Sequence, residues 1–448
     1  MGSLAGAALP GGLWAGATGA GAAPAPRSGL ADPGEVAYIS GSQIYLTHGN
    51  GGRRRVAGPG QASDPAWSAD GNWVAFLRSP APPAGSPYAA EPSQLWVARP
   101  DSSGAYRLSS AGSDVTGFAW GPAGAGEEIA FSTTGPRGLV SQIWLARPGR
   151  ATGRAFASVP GLFGFSWSPS GGALAVSRNV YGPDGFRRAT LEIAPLAGRA
   201  WRTVRSGGNA FELASWWPNG KGLLYWADPE SSASLAADGL ALESLDLADG
   251  RVSRLAVTLV HPNWLAWSPG GTAVAIVAGG NRSIWSSGKH VEVCALPAGR
   301  CRPMPRPAGP VMSLGPAWAS SGALTYVVAP AARGNGFWPP PGAPGAPGAP
   351  GGAAYRPKTL AWWYGAQRLW SSGPGATGAR PLAAAGRGAH TPVATAGGLL
   401  FVRGGGLWYL PTGAASPSRL AGHLGPADPY GDDYYGYVPW SDDFAWHQ

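Results

Sequence analysis

Asp64-Pro65-Ala66-Trp67-Ser68-Ala69-Asp70-Gly71-Asn72-Trp73-Val74-Ala75-Phe76 is the stretch that decides the fold. It is an apolar strand ending in an anchoring Trp, then a small-residue turn, then a second apolar strand. Seven further copies have their anchor positions at Trp120, Trp167, Trp216, Trp267, Trp318, Ala394 and Trp446, in steps of 53, 47, 49, 51, 51, 76 and 52 residues. A period near fifty that is written in short strands means repeated four-stranded sheets stacked radially, a β-propeller. Function in such a molecule belongs on a face of a disc.

Each copy reads as four strands, a to d from the axis outward. Strand a ends in the anchor. The a→b turn, as in Ser168-Pro169-Ser170-Gly171-Gly172 or Trp217-Pro218-Asn219-Gly220-Lys221, combines a preset φ at Pro with a positive φ at Gly. Strand b is apolar and β-branched or aromatic, as in Ile129-Ala130-Phe131. Strand c has its own signature: Gln43-Ile44-Tyr45, Gln94-Leu95-Trp96, Gln142-Ile143-Trp144, Arg368-Leu369-Trp370 and Gly406-Leu407-Trp408. Strand d is short and polar, as an edge facing solvent should be.

The chain ends complete one another. Phe444-Ala445-Trp446 copies Phe118-Ala119-Trp120, and Glu35 to Tyr38 supplies the strand that should follow it. The expectation is eight blades, with seven as the alternative, the last closed by pairing of the C-terminal strand with N-terminal strands. Residues 31–448 then form one all-β domain with a Pro/Gly-rich insertion loop over 330–366. Residues 1–30, rich in Ala and Gly, read as a disordered tail or the remnant of a signal peptide.

Composition fits this reading. The 448 residues include 72 Gly, 45 Pro and 22 Trp, a turn-rich chain with recurrent aromatic packing positions. The net charge of +9 is carried almost wholly by Arg, which high genomic GC content explains as readily as selection. No basic helix or RNA-binding motif accompanies it, so nucleic acid is not an expected partner. Diffuse positive charge instead suits weak attraction to acidic polymers such as surface glycans.

The repeats resemble the TolB-type, WD-repeat-like propeller family, whose units read roughly aromatic-Ser-Pro-Asp-Gly before an apolar strand. The resemblance runs from about Glu35 to Trp446. It implies the fold and a role as a periplasmic or extracellular interaction platform, while related propellers also serve as modules of prolyl peptidases and as polysaccharide lyases. The chain departs from the family pattern in its eight blades, where six are typical, and in lacking a separate N-terminal α/β domain.

Long insertions fall in the b→c connections: Ser79 to Ser93, Arg178 to Thr190, Ala227 to Leu240 and Ala329 to Ala366. These emerge on one face, together with the long d→a connection from Gly425 to Asp443, which nominates that face as the working one. The richest segments offer Trp338, Tyr355, Trp362, Trp363, Tyr430, Tyr434, Tyr435 and Trp440, with Asp432 and Asp433 among them, as candidate binding residues for a protein or glycan. The alternative is that the final segment folds over the disc and plugs its axis.

No catalytic motif, metal-ligand pair or cofactor loop stands out, so the expectation is a non-enzymatic, monomeric binding protein without cofactor. The competing expectation is a polysaccharide lyase or glycoside hydrolase using carboxylates at the axial mouth, Asp64, Asp114 and Glu212, or else His261 and His390. Convergence on a common point would mark an enzyme and dispersal a scaffold. Cys294 and Cys301 flank a c→d turn that would set them opposite each other, the geometry of a disulfide and of an extracytoplasmic location: secreted, periplasmic or envelope-associated.

Overall fold

The computed structural model describes residues 34–47, 52–56, 58, 60–81, 92–101, 104–134, 140–150, 153–183, 185–198, 200–332, 357–425 and 440–447. They form eight four-stranded antiparallel sheets. Blade one has inner strand Gln61–Trp67 and outer strand Ala105–Arg107, and blades two to seven follow in chain order with inner strands Val115–Trp120, Leu162–Trp167, Ala210–Trp216, Ala266–Trp267, Val311–Trp318 and Ala389–Ala394. Blade eight is composite: Phe444–His447 pairs with Glu35–Ser40 in the register Tyr38↔Phe444, Ala37↔Ala445, Val36↔Trp446. The expected closure is therefore present, and the count is eight.

The Trp-Ser repeat has a double cause. In three a→b turns the Ser after the anchor accepts from the backbone N–H that opens strand b, Trp73 on Ser68 at 3.0 Å, Ala173 on Ser168 and Ala273 on Ser268 each at 3.1 Å, while Gly71 takes φ 72°. The anchor's indole N–H reaches back to the preceding blade. Trp67 donates to Ala445 O at 3.3 Å, Trp120 to Ala66 O at 3.0 Å, Trp167 to Ala119 O at 3.0 Å, Trp216 to Ser166 O at 3.1 Å and Trp267 to Ser215 Oγ at 3.3 Å. Each partner immediately precedes the earlier anchor. A large ring thus fills the blade interface while its polar atom fixes the step between blades.

The device stops at blade six. Trp318 Nε1 is buried without a partner among the described residues, and blade seven has Ala394 in the anchor place. A single apolar cluster across blades five to seven takes over, with Trp285, Tyr326, Leu360, Trp363 and Phe401 in it. Elsewhere the core lies in separate clusters between neighbouring blades.

Two insertions are more ordered than their sequence suggests. Arg178 to Thr190 is largely an extension of strands b and c: Ala173–Gly182 pairs with Gly185–Pro195 through Val180↔Arg188 and Tyr181↔Phe186. Tyr181 near its tip is 54% exposed. The 330–366 insertion ends not in loop but in a helix, α2 (Pro357–Ala366), whose Leu360 and Trp363 enter the core. Another helix, α1 (Ala233–Asp238), lies in the Ala227 to Leu240 connection and is capped by Ser232, whose side chain accepts from Leu235 N at 3.4 Å. Among the described residues no helix is long and apolar enough to cross a membrane.

Candidate functional site: the covered axial mouth

Inner-strand bulges turn side chains toward the axis. In blades one and seven a Pro interrupts the a–b ladder, at Pro65 and Pro392, and the register shifts between Ser63 and Ala66 and between His390 and Val393. Asp64 and Thr391, just before these prolines, take φ 54° and 50°, a left-handed conformation that Asp tolerates better than most residues. Asp-Pro and Thr-Pro inside otherwise apolar strands were the sequence signal for these bulges.

One helical turn, Trp440–Asp443, leads into the inner strand of blade eight and covers the mouth. Ser441 Oγ lies 2.6 Å from Asn263 Nδ2, in the connection that enters blade five, so the turn reaches across the disc. The Trp440 ring lies 5.6 Å from the His390 ring of blade seven and 6.0 Å from Tyr364 of α2, which is itself 4.6 Å from His390. Asp442 lies beside Asp64 of blade one. This turn thus contacts blades one, five and seven and α2. The rest of the connection, 426–439, lies outside the described residues.

Burial shifts each of the covered groups toward its neutral form. Burial and the adjacent Asp64 push Asp442 up to about 7 against the opposing hydrogen bond from Ser441, and burial raises Asp64 as well. Burial brings His390 down to about 3, and His261 to about 3 with help from the positive charge of Lys289. His261 packs edge-on to Trp264 with ring centroids 4.7 Å apart. His390 is buried and His261 half-buried, and with values near 3 both are neutral at neutral pH.

Lys289 is the group that sequence reading missed. Its side chain is fully buried, and Nζ donates to Ser283 O at 2.5 Å, Asn281 O at 2.8 Å and Gly280 O at 3.4 Å. Burial lowers it to about 7. It ties together the blade-five loop from Gly279 to Lys289, and its signal was a rare Lys in a chain that otherwise uses Arg.

Each of the candidate acids has partners of its own. Asp114 accepts from Ser93 N at 3.0 Å and Thr134 Oγ1 at 3.3 Å, joining strands at one end of their blades. Glu212, 7% exposed, is raised to about 7 by burial and then by Asp228 of its own blade, which in turn accepts from Glu230 N and Ser232 N at the entry to α1. Asp64 has Asp442 for its neighbour. None of the three has another of the three among its partners.

Of the candidate binding residues, Trp363 is 1% exposed and donates to Pro330 O at 2.9 Å, so it serves the core and presents no ring face. Trp362 packs half-buried against the same cluster, and Trp440 belongs to the covering turn. Trp338, Tyr355, Tyr430, Asp432, Asp433, Tyr434 and Tyr435 lie outside the described residues. Cys294 and Cys301 form the expected disulfide, as a directly paired cross-strand couple. With Glu292 they crowd three ligand-type side chains, but the sulfurs are bonded to each other.

No protein-family model and no curated protein matches the chain. Solved structures do. A prolyl endopeptidase aligns at 10% identity with TM-score 0.51 over 80% of this chain and 49% of that one. Prolyl oligopeptidase B from Galerina marginata aligns at 11% with TM-score 0.50 over 89% and 53%. TolB from Acinetobacter baumannii aligns at 13% with TM-score 0.40 over 62% and 64%. The chain thus spans about half the length of the peptidases and less than two thirds of that TolB. At these identities the likeness speaks to fold alone. In fold the chain is a β-propeller with eight blades, each built on the Trp-Ser-turn repeat or a variant of it.

Proposed function

We propose that the chain is a non-enzymatic interaction platform that works outside the cytoplasm and seats a protein or glycan on the face bearing the b→c and d→a connections. The observation that carries this reading is the covered mouth. Among the described residues Trp440–Asp443 packs against Asp64, Asn263 and His390, an arrangement that favours a covered axial mouth over an open catalytic cleft. The b→c connections supply the long hairpin of blade three, with exposed Tyr181, and the two helices. The disulfide supports an oxidising compartment.

The test is capture from native cell-envelope extract with wild-type protein, with Tyr181→Ala/Tyr434→Ala/Tyr435→Ala, and with Asn219→Ala in an a→b turn of the opposite face. The platform reading expects the triple variant to lose at least about tenfold in partner affinity, since exposed aromatics dominate such contacts. It expects Asn219→Ala to keep it. A partner whose affinity falls only with the turn-face variant would overturn the assignment of the face.

A lyase- or hydrolase-type enzyme is the second reading, favoured by one observation: Asp64 and Asp442 place two carboxyl groups side by side, one held near 7. Turnover of an acidic or neutral oligosaccharide that vanishes with Asp64→Asn would replace the platform reading with this one.

A further inference from the structure

The eight outer strands carry no acidic residue, and every one of them carries arginine. The outer strand of blade eight is Arg53-Arg54-Arg55-Val56, and Arg107, Arg154, Arg380 and Arg419 occupy those of blades one, two, six and seven. All of these except Arg54 are exposed. Blades three, four and five contribute Arg202, Arg254 and Arg300. Arginine fills 12 of the 40 outer-strand positions, against 30 in the 448 residues of the whole chain, so it is concentrated there beyond its compositional share.

The neighbouring strand c divides this circumference in two. At one repeat position blades six, seven, eight, one and two have Trp370, Trp408, Tyr45, Trp96 and Trp144, whereas blades three, four and five have Glu192, Glu243 and Glu292. Cross-strand register puts Arg55 opposite Tyr45, Arg107 opposite Trp96 and Arg419 opposite Trp408. In blade four the same register puts Arg254 opposite Glu243. A carboxylate therefore stands one strand inward in blades three to five, directly opposite arginine in blade four and opposite Thr203 and Pro303 in blades three and five, whereas the contiguous arc through blades six, seven, eight, one and two has none at this position.

The arc's guanidinium groups are also held in place. Arg53 lies 3.8 Å above the Tyr45 ring, Arg403 lies 3.8 Å above Trp408, and Arg99 lies 4.3 Å above Trp73. Arg78, buried between blades eight and one, is depressed by burial and by the like charge of Arg55. Among the described residues, the acidic contact of the exposed outer-strand arginines of the arc is Glu128, 3.8 Å from Arg154 at the arc's end.

We propose that this arc, on the circumference and separate from the decorated face, is a binding surface for an acidic polysaccharide bearing carboxylate or sulfate groups. Arginine's forked guanidinium suits such oxyanions, and its stacking on Tyr and Trp removes much of the ordering cost of gripping them. A single-stranded nucleic acid would want free aromatic faces for its bases. Here guanidinium groups already cover the Tyr45 and Trp408 rings, which leaves charge and not ring face as the contact.

The test measures binding of polygalacturonate, dextran sulfate, neutral dextran and a mixed-sequence single-stranded DNA at several salt concentrations. Three proteins are compared: wild type, Arg55→Gln/Arg107→Gln/Arg419→Gln and Arg202→Gln/Arg254→Gln/Arg300→Gln. All six positions are exposed, so the fold is not at stake. Both acidic glycans should bind with affinity that falls as salt rises, and the arc variant should lose about tenfold or more while the second variant stays within about twofold. Absence of acidic-glycan binding at low salt, equal loss in the two variants, or equal binding of neutral dextran would overturn the proposal. Tighter binding of the DNA than of either glycan would overturn the assigned partner class.

Discussion

An anchor tryptophan does two things that a phenylalanine could only half replace. Trp120 is 7% exposed, so its ring fills the interface between blades one and two, and its indole N–H satisfies Ala66 O. Trp120→Phe should cost about 1–2 kcal/mol, for the lost hydrogen bond and the smaller ring. Trp120→Ala should cost about 3–5 kcal/mol, because the ring leaves a cavity as well. Trp318→Phe should cost less than Trp120→Phe, since the Trp318 N–H has no partner among the described residues to lose. Chemical denaturation of the three variants checks the order, and equal costs for the two Phe variants would remove the bond from the account. The position of each anchor was legible in the periodicity. The direction of its N–H was not, because it depends on the step between blades.

At the scale of the element, the covering turn makes the clearest use of burial. Asp442 is held up to about 7 in the folded protein, so the folded state binds its proton more tightly than the unfolded chain does. Its contribution is complete below the ordinary carboxylate range, near 4, and is lost as pH rises through about 7. His261 and His390, held down to about 3, act oppositely: their neutral burial costs stability as pH falls below about 6.5. The wild-type curve mixes both, so the comparison that isolates the turn is with Asp442→Asn, which mimics the protonated carboxyl. Wild type should lose melting temperature relative to Asp442→Asn between pH 5 and pH 8 on the order of a few degrees. A constant difference across that range would show that the carboxyl does not titrate in the folded turn. Sequence reading named Trp440 in this segment, but Asn263 and Tyr364, its partners, come from connections far away in the chain. Loop lengths marked where insertions lay and not their shape. The tip of the Arg178 to Thr190 segment, Tyr181 to Arg188, pairs through side chains that largely meet solvent, so it lacks the apolar alternation of a half-buried strand. Trp363 looked like a surface aromatic because α2 follows a Pro/Gly-rich run, and only tertiary packing turns it into the core.

For the whole molecule, the count of eight and the closure were readable because each blade repeats one local pattern, while properties that belong to the ring as a whole were not. Charge is the example: Arg read one residue at a time looks like compositional bias, and its avoidance of acid along the outer strands emerges only when the strands are set around the circumference. Closure is the ring property that a truncation can test. Phe444–His447 supplies the inner strand of blade eight through four register pairs, and Ala445 O accepts from the Trp67 indole of blade one. Ending the chain at Asp443 would leave Val36 and Tyr38, both buried, with an exposed strand edge on the axial side and would strand the Trp67 N–H. The lost ladder and the half-opened interfaces on both sides of the blade should together lower stability by several kcal/mol, on the order of a third to a half of a typical domain's margin. Because the loss falls at a single seam, the truncated protein should retain most of its strand signal by far-UV circular dichroism while its denaturation midpoint drops. Hydrogen exchange should rise first in Glu35–Ser40 and in the inner strand of blade one, the two strands that flank the missing one. Exchange that rises evenly around the ring, with no priority at the seam, would mean that the blades unfold as one unit. An unchanged midpoint would mean that the composite blade contributes nothing to holding the ring closed.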